Sequence, residues 1–477
     1  MLGYVIVQYR VLGAQAEGVL GDYFLAALVL MYTGTVAEWG LGTLLTREVA
    51  RERDDTGDVA RRFRQTLSLR LGLAGLMALP VALFVAVYLA FFGLSEAGAW
   101  AVAILTLSLL PSAVSGSVTA VLYAYERMSL PAVIGIGTAV LNVALGLLFV
   151  LTGWGVLGLA LAALLSTVAT AVVFWAIMRR NYPDVASARP EQGLSRTAAV
   201  ALLSDGWPLM LNALLVGLFF RVDQFIIKPV AGGLAVEQYN AAYSYLNFLL
   251  IITPAVTLAL FPRMARHAVS DRRRLAYEYA LALRVMLILS VPLVALTFWF
   301  APLLVSIVTG GKEGYLPESA VALRILIFFL PLSFVNGVTQ YVLIALDRQR
   351  LITGVFAATV AFNLAVNLVL VPLMGIYGAA ITTVLSEVVL LVPFLLYVGR
   401  ETEPVRLWEV VWRPLLGAVL VAGVMWLTWG LTERWNASAA DFGFFLGAGL
   451  LPLVLYAVAM VIVRPFTPDE IRAARRS

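Results

Sequence analysis

Long apolar runs separated by short polar joints recur along the whole chain. They fall at 1–9, 22–46, 67–92, 98–124, 131–152, 155–178, 198–227, 239–262, 281–309, 318–346, 350–372, 375–398, 413–432 and 442–463. A membrane-crossing helix takes about 20 apolar residues, so fourteen spans are expected, with the first incomplete. The pattern predicts an all-α polytopic membrane protein of about 14 transmembrane helices. No joint is long enough for an extramembrane domain, so any chemistry is expected within the helix bundle.

Charge orients the spans. Only Arg10, Lys228, Lys312 and Arg434 lie in the joints 10–21, 228–238, 310–317 and 433–441. Arg221 and Arg324 lie inside spans, and the other cations gather at or near the opposite face, as in "TREVARERDDTGDVARRFR" and "RMARHAVSDRRR". An excess of Lys and Arg marks the cytoplasmic side. A multi-pass protein of the plasma (cytoplasmic) membrane follows, with both termini cytoplasmic.

The chain also repeats itself. "YERMSLPAVIGIGTAVLNVALG" (125–146) matches "LDRQRLITGVFAATVAFNLAVN" (346–367), aligning Glu126-Arg127 with Asp347-Arg348 and Asn142 with Asn363. "GVLGLALAALLS" (155–166) matches "GIYGAAITTVLS" (375–386), and Pro111 corresponds to Pro331. The offset covers an even number of spans, so the repeats are parallel and a central cavity between two six-helix lobes is expected. The predicted layout is an N-lobe at 1–180, a cytoplasmic linker at 181–197 and a C-lobe at 198–400. A terminal helix pair and basic tail follow at 401–477. By this repeat, residues 1–9 correspond to about 217–225, so the first helix is expected to be truncated or to start upstream of Met1.

Polar groups present in both lobes are expected to serve the scaffold. Asn142 and Asn363 read as helix-packing residues, and the paired acid-arginine dipeptides as helix end-caps. Polar groups in one lobe only are the functional candidates. "RVDQFIIK" (221–228) is the main one, because Val5 and Val7 stand at the lobe-one positions of Arg221 and Asp223. At 100° per residue Arg221 and Asp223 lie about 200° apart and cannot pair, whereas Arg221, Gln224 and Lys228 form one stripe. Two readings stand: the two cations snorkel to outer headgroups, or they face a water-filled cavity and hold a phosphate. Asp223 reads as a buried salt-bridged or hydrogen-bonded group of its own lobe, or as a coupling carboxylate.

Asn240, Tyr243 and Asn247 form a second stripe suited to sugar hydroxyls and C–H faces, and Tyr239 reads equally as an interfacial tyrosine. Glu38 and Glu387 are carboxylates at membrane depth, either coupling groups or hydrogen-bonded structural ones, the structural reading being favoured for Glu387. Arg324 is read as snorkelling outward.

Composition removes other chemistries. The chain is 62% hydrophobic and 13% charged, with mean hydropathy +0.93. There is no Cys, a single His (His267) and only two lysines, neither in a P-loop. Thiolate metal sites, Cys nucleophiles, disulfides and a built-in P-loop ATPase are excluded. No cofactor, metal or nucleic acid is expected.

The segments "EWGLGTLLTREVAR" (38–51), "RVDQ" (221–224), "YNAAYSYL" (239–246), "FPRMAR" (261–266), "LRIL" (323–326), "LDRQRL" (346–351) and "FNLAVNLVLVPLMGIYGAAITTVLSEVVLL" (362–391) together resemble a known family. It is the Wzx-type oligosaccharide/polysaccharide flippases of the multidrug/oligosaccharidyl-lipid/polysaccharide exporter superfamily. The resemblance implies two six-helix lobes around a central cavity and no enzymatic step. It implies movement of a polyprenyl-diphosphate-linked glycan from inner to outer leaflet by alternating access, driven by an ion gradient or the membrane potential. Glycosyltransferases or a polymerase of the same pathway would be partners. On this resemblance Arg221 faces the cavity, and Glu38 stands where the family often has a carboxylate or small polar residue. A drug/cation antiporter of the same superfamily and a lipid II flippase are the alternatives.

Overall fold

A computed structural model describes residues 2–13, 18–52, 54–187, 194–402 and 407–427, with a few positions between 454 and 460. Every regular element among them is helical. Ten helical stretches are long and apolar enough to cross a membrane. The expected spans at 413–432 and 442–463, the basic tail and part of the linker lie wholly or partly outside the described residues.

The helices are α1 (Leu2–Leu12), α2 (Val19–Glu38), α3 (Leu41–Arg51), α4 (Thr56–Leu76), α5 (Ala78–Phe91), α6 (Glu96–Leu107) and α7 (Leu109–Ala124). Then come α8 (Ser129–Leu151), α9 (Gly155–Asn181), α10 (Pro183–Ser187), α11 (Arg196–Arg221), α12 (Asp223–Leu249) and α13 (Ile252–Ser270). The last are α14 (Arg272–Thr309), α15 (Glu318–Leu326), α16 (Phe329–Ala345), α17 (Gln349–Met374), α18 (Ile376–Glu401) and α19 (Leu407–Leu427).

Interruptions follow from the sequence. Pro111 is the third residue of α7 and Pro331 the third of α16, so the paired prolines sit just past equivalent breaks in both repeats. Proline cannot donate the backbone hydrogen bond that would carry the preceding helix through. The helical run 196–254 has 59 residues, nearly three bilayer thicknesses at 1.5 Å per residue, so it cannot be one crossing. It is divided at Gly232, whose φ of 85° and ψ of 179° are non-helical.

The paired dipeptides are helix C-caps. Glu126 (φ 60°) and Asp347 (φ 59°) are both left-handed. The following amides close matching loops, Arg127 N to Leu122 O and Arg348 N to Leu343 O, both 2.9 Å. This is the six-to-one bond that satisfies orphan carbonyls at a helix end.

The residues group into two compact units: Val7–Glu237, and Gln238–Ser477 with Met1–Ile6. The first helices of the second repeat, α11 and the start of α12, therefore belong to the unit that holds the N-terminal helices; α11 packs on α2, α3 and α4. In Val7–Glu237 one apolar cluster joins Ala26, Val29, Val81, Ala101, Val102, Leu105 and Ala160. Its alanines let helix backbones approach closely, as membrane packing requires. In the other unit α17 packs on α18, and α14 on α16 and α19. There Asn363, 1% exposed, donates to Ser386 Oγ at 2.9 Å and accepts from Asn367 at 2.8 Å, which makes it a packing residue between α17 and α18.

Arg70 corrects the charge map. It falls within the run 67–92, and the structure buries it in α4 at 6% exposure, unlike the joint cations with which it had been grouped.

Candidate functional site

"RVDQ" occupies a helix interruption. Arg221 is the last residue of α11 and Asp223 the first of α12. Between them Val222 N still reaches Leu218 O at 3.1 Å, but Phe225 N turns to Val222 O at 3.2 Å, a tighter three-residue step. Asp223 Oδ1 accepts from Gln224 N at 2.9 Å. A cation at a helix C-terminus and an anion at an N-terminus each oppose the local dipole. Each charge thus sits at a helix end of the favourable sign.

Two tyrosines complete this region. Pro229 has no N–H to offer Phe225 O, and Tyr88 Oη from α5 donates to that carbonyl at 3.0 Å. Tyr32 Oη from α2 donates to Gly217 O at 3.2 Å, and its ring lies 5.7 Å from that of Phe225. The Tyr32 hydroxyl lies in the fields of both Asp223 and Arg221. Arg221 itself is half-buried, while Asp223 and Gln224 are buried.

Lys228 does not snorkel. It is 5% exposed and forms an ion pair with Asp22 at the start of α2. The second Asp22 oxygen accepts from Ser95 N at 2.8 Å, where Ser95 caps α6. Glu237 lies beside this pair's helices: its Oε1 accepts from Gly21 N at 3.2 Å and its carbonyl from Tyr9 Oη at 2.9 Å. Gly18 and Gly21 meet the Gly233 backbone so closely that a Cβ on Gly18 would stand 2.5 Å from Gly233 C.

The second predicted stripe lies in the other unit. Asn240 and Tyr243 are buried, whereas Asn247 is exposed, so the three do not share one environment. Tyr239 is fully buried, its ring lies 5.6 Å from that of Tyr243 and is tilted by 46° to it, and its hydroxyl reaches Thr383 Oγ1 at 3.2 Å. The interfacial reading of Tyr239 is thereby overturned.

Glu38 ends α2 at a second interruption. Trp39 and Gly40 are left-handed, with φ of 50° and 71°. The two Glu38 oxygens accept from Gly40 N and Gly42 N, each at 2.8 Å, and so cap α3. Arg70 acts on Glu38 through space. Its guanidinium lies against Gly116, where a Cβ would come 2.5 Å from Nη2, and its Nε has no hydrogen-bond partner among the described residues. Trp39 Nε1 donates to Leu203 O of α11 at 2.9 Å, tying this break to the helix that carries Arg221.

Glu387 is 1% exposed and clamps α18 to α16: Asn336 Nδ2 donates to its carboxylate and, at 2.9 Å, to its backbone carbonyl. Arg324 also departs from expectation. Its Nε donates inward to Phe298 O at 3.0 Å, the carbonyl left open by Pro302, and its guanidinium lies 5.6 Å over the Phe298 ring.

Asp22, Tyr32, Arg70, Tyr88 and Glu237 were not among the sequence candidates. Arg70 could have been found from its place within an apolar run. A polar recess of about 220 Å³ in the same unit, lined by Glu48, Arg61, Arg62, Gln65, Thr66 and Asp205 among others, lies among the arginine-rich residues and apart from "RVDQ".

A bundle of apolar helices with interrupted spans and buried charges at the breaks is the build of a multi-pass membrane transporter. The profile of the family described as "Polysaccharide biosynthesis protein" matches residues 1–268, more than half of the chain, and that described as "MatE" matches 208–387. The chain belongs to the polysaccharide biosynthesis protein family, within the superfamily of lipid-linked oligosaccharide flippases and multidrug exporters. These are transporters, not enzymes.

A curated relative, the uncharacterized membrane protein MJ1068 of Methanocaldococcus jannaschii, is 27% identical over 226 residues. That match spans 46% of this chain and 43% of the relative, less than half of either. The lipid II flippase MurJ in an inward closed conformation aligns with a TM-score of 0.76 at 13% identity, covering 97% of this chain and 96% of the other. An inward-facing multidrug resistance MATE family transporter aligns at 0.61 and 16% identity, covering 84% and 94%. At such identities the likeness establishes the fold.

Proposed function

We propose that this chain carries a polyprenyl-diphosphate-linked oligosaccharide from the inner to the outer leaflet by alternating access, for assembly of a surface polysaccharide or glycan. Arg221 is the observation that carries the reading: a half-buried guanidinium kept within an apolar span, at a helix interruption. A cation at membrane depth is costly unless it serves a pathway, and the planar guanidinium fork suits a diphosphate. Tyr32 and Gln224 beside it supply hydroxyl and amide groups for the same ligand. Asn240, Tyr243 and Asn247 are the proposed sugar-contacting set. The cycle runs on an ion gradient or the membrane potential, with Glu38, Asp223 and Glu387 as the coupling candidates. Pathway glycosyltransferases or a polymerase supply and consume the lipid.

The test is translocation in liposomes with a panel of lipid-linked glycans, lipid II and a cationic dye. Arg221→Ala is expected to abolish movement of the diphosphate-linked glycan at unchanged protein yield. Unchanged glycan transport would remove Arg221 from the phosphate site, and transport of the dye alone would replace the reading with a drug antiporter.

A further inference from the structure

Lys228 is one of two lysines among 33 basic residues, and it is the one buried against an acid. Elsewhere the chain uses arginine, whose planar fork holds a carboxylate bidentately; lysine presents a compact point charge on a flexible stem. Such a cation exchanges partners more readily than a guanidinium.

Its surroundings are a closed seam. Asp22 is 1% exposed and held by the α6 amide as well as by Lys228. Gly18, Gly21 and Gly233 bring the α2 and α12 backbones into direct contact, and Glu237 stitches α12 back to Gly21 and Tyr9. All of these residues lie in or beside the arginine-poor joints 10–21, 92–98 and 228–238. Tyr9 and Gly21 belong to the first repeat, while Lys228, Gly233 and Glu237 belong to the second. The seam therefore joins the two repeats at one end of the bundle. Of the contacts just named, the ion pair is the one a ligand charge can replace, because backbone packing and amide bonds offer an anion no cation.

We propose that Lys228 is an exchangeable cation. Asp22 holds it while the arginine-poor end of α2 and α12 is closed, and the lipid-linked diphosphate takes it over as that end opens. Asp22 is then a positioning residue that acts through Lys228. The ligand half of this rests on the transport reading given above. In the exchange no covalent bond changes: one ion pair breaks, one forms, and Asp22 keeps its Ser95 amide contact. Removing one partner of a buried pair leaves an unanswered charge and loosens the seam, whereas exchanging the two signs restores the ion pair and gives up only the Ser95 amide contact.

The chain has no cysteine, so a single introduced one reports on opening. Leu25, fully buried less than one turn beyond Asp22, is the reporter position. Leu25→Cys in otherwise intact protein is labelled by a membrane-impermeant maleimide in reconstituted vesicles. Asp22→Asn or Lys228→Met is expected to speed labelling by about tenfold or more. Asp22→Lys with Lys228→Asp is expected to return it most of the way to the starting rate, since the ion pair is restored but a lysine at position 22 cannot accept from Ser95 N. Undecaprenyl diphosphate is expected to speed labelling of the intact pair and to add little once Lys228 is Met.

Unchanged labelling in both single variants would overturn the closing role without any lipid present. If the single variants, or the double variant, instead lose the folded peak on size exclusion, Lys228→Arg decides. Retained folding with labelling that the lipid no longer speeds supports exchange, and an undiminished lipid response overturns it. Faster labelling in the charge variants but none with the lipid would overturn the exchange. Failure of the transport reading is seen separately, in the liposome assay.

Discussion

At the residue scale, two polar side chains repair backbone that proline leaves incomplete. Tyr88 Oη takes the Phe225 carbonyl that Pro229 cannot serve, and Arg324 Nε takes the Phe298 carbonyl that Pro302 cannot serve. In hydrocarbon no water satisfies such a carbonyl, so each contact replaces an orphaned acceptor. Tyr88→Phe is expected to lower stability by about 1–2 kcal/mol in thermal unfolding in detergent. The same change should cost clearly less in a Pro229→Ala background, where a backbone N–H is available, and equal costs would show that Tyr88 does not act through that carbonyl. Arg324→Leu should likewise lose about 1–3 kcal/mol, because it removes a charged donor from a partly buried acceptor. Neither role was legible in the sequence: a cation near a span end reads as snorkelling until its acceptor is located, and Phe298 lies 26 residues from Arg324.

At the element scale, the repeated features that the sequence displayed are those whose cause is local. A proline breaks the helix it would otherwise have to donate to, and a left-handed residue after a helix lets the next amide close the six-to-one loop, whatever packs around it. Pro111 and Pro331, and Glu126 and Asp347, accordingly do the same thing in both repeats. Asp347→Gly is expected to keep or raise stability by up to about 1 kcal/mol, since glycine adopts the left-handed region freely. Asp347→Val should lower it by about 1–2 kcal/mol, and equal melting temperatures for the two variants would show that the cap conformation has no energetic weight. Long-range partners were not legible. Lys228 was read against headgroups or a phosphate, because Asp22, 206 residues away, gave no sign of meeting it. The stripe Arg221, Gln224 and Lys228 was drawn on one helix, but Arg221 ends α11 and is half-open, while Gln224 and Lys228 lie on α12 and are enclosed.

At the scale of the whole molecule, the proposed coupling of transport to the membrane is put to the test at Glu38. It stands nine residues before Arg47, across the break between α2 and α3, and its carboxylate holds that break by capping α3. A charge carried through part of the membrane potential feels up to about 2.3 kcal/mol per 100 mV, so a Glu38 that changes charge or depth during the cycle leaves a voltage signature. Glu38→Gln keeps one carbonyl acceptor for the cap and removes the charge. If the residue is only a cap, the variant loses some stability and its transport rate keeps the same dependence on imposed potential and pH gradient. If it couples, that dependence changes in slope while the folded protein persists, and this is the expected outcome. Gly116→Ala supplies an independent handle, because its Cβ would displace the Arg70 guanidinium that acts on Glu38 without touching the cap. The two variants should alter the potential dependence together, and wild-type dependence in both would remove the Glu38–Arg70 region from coupling.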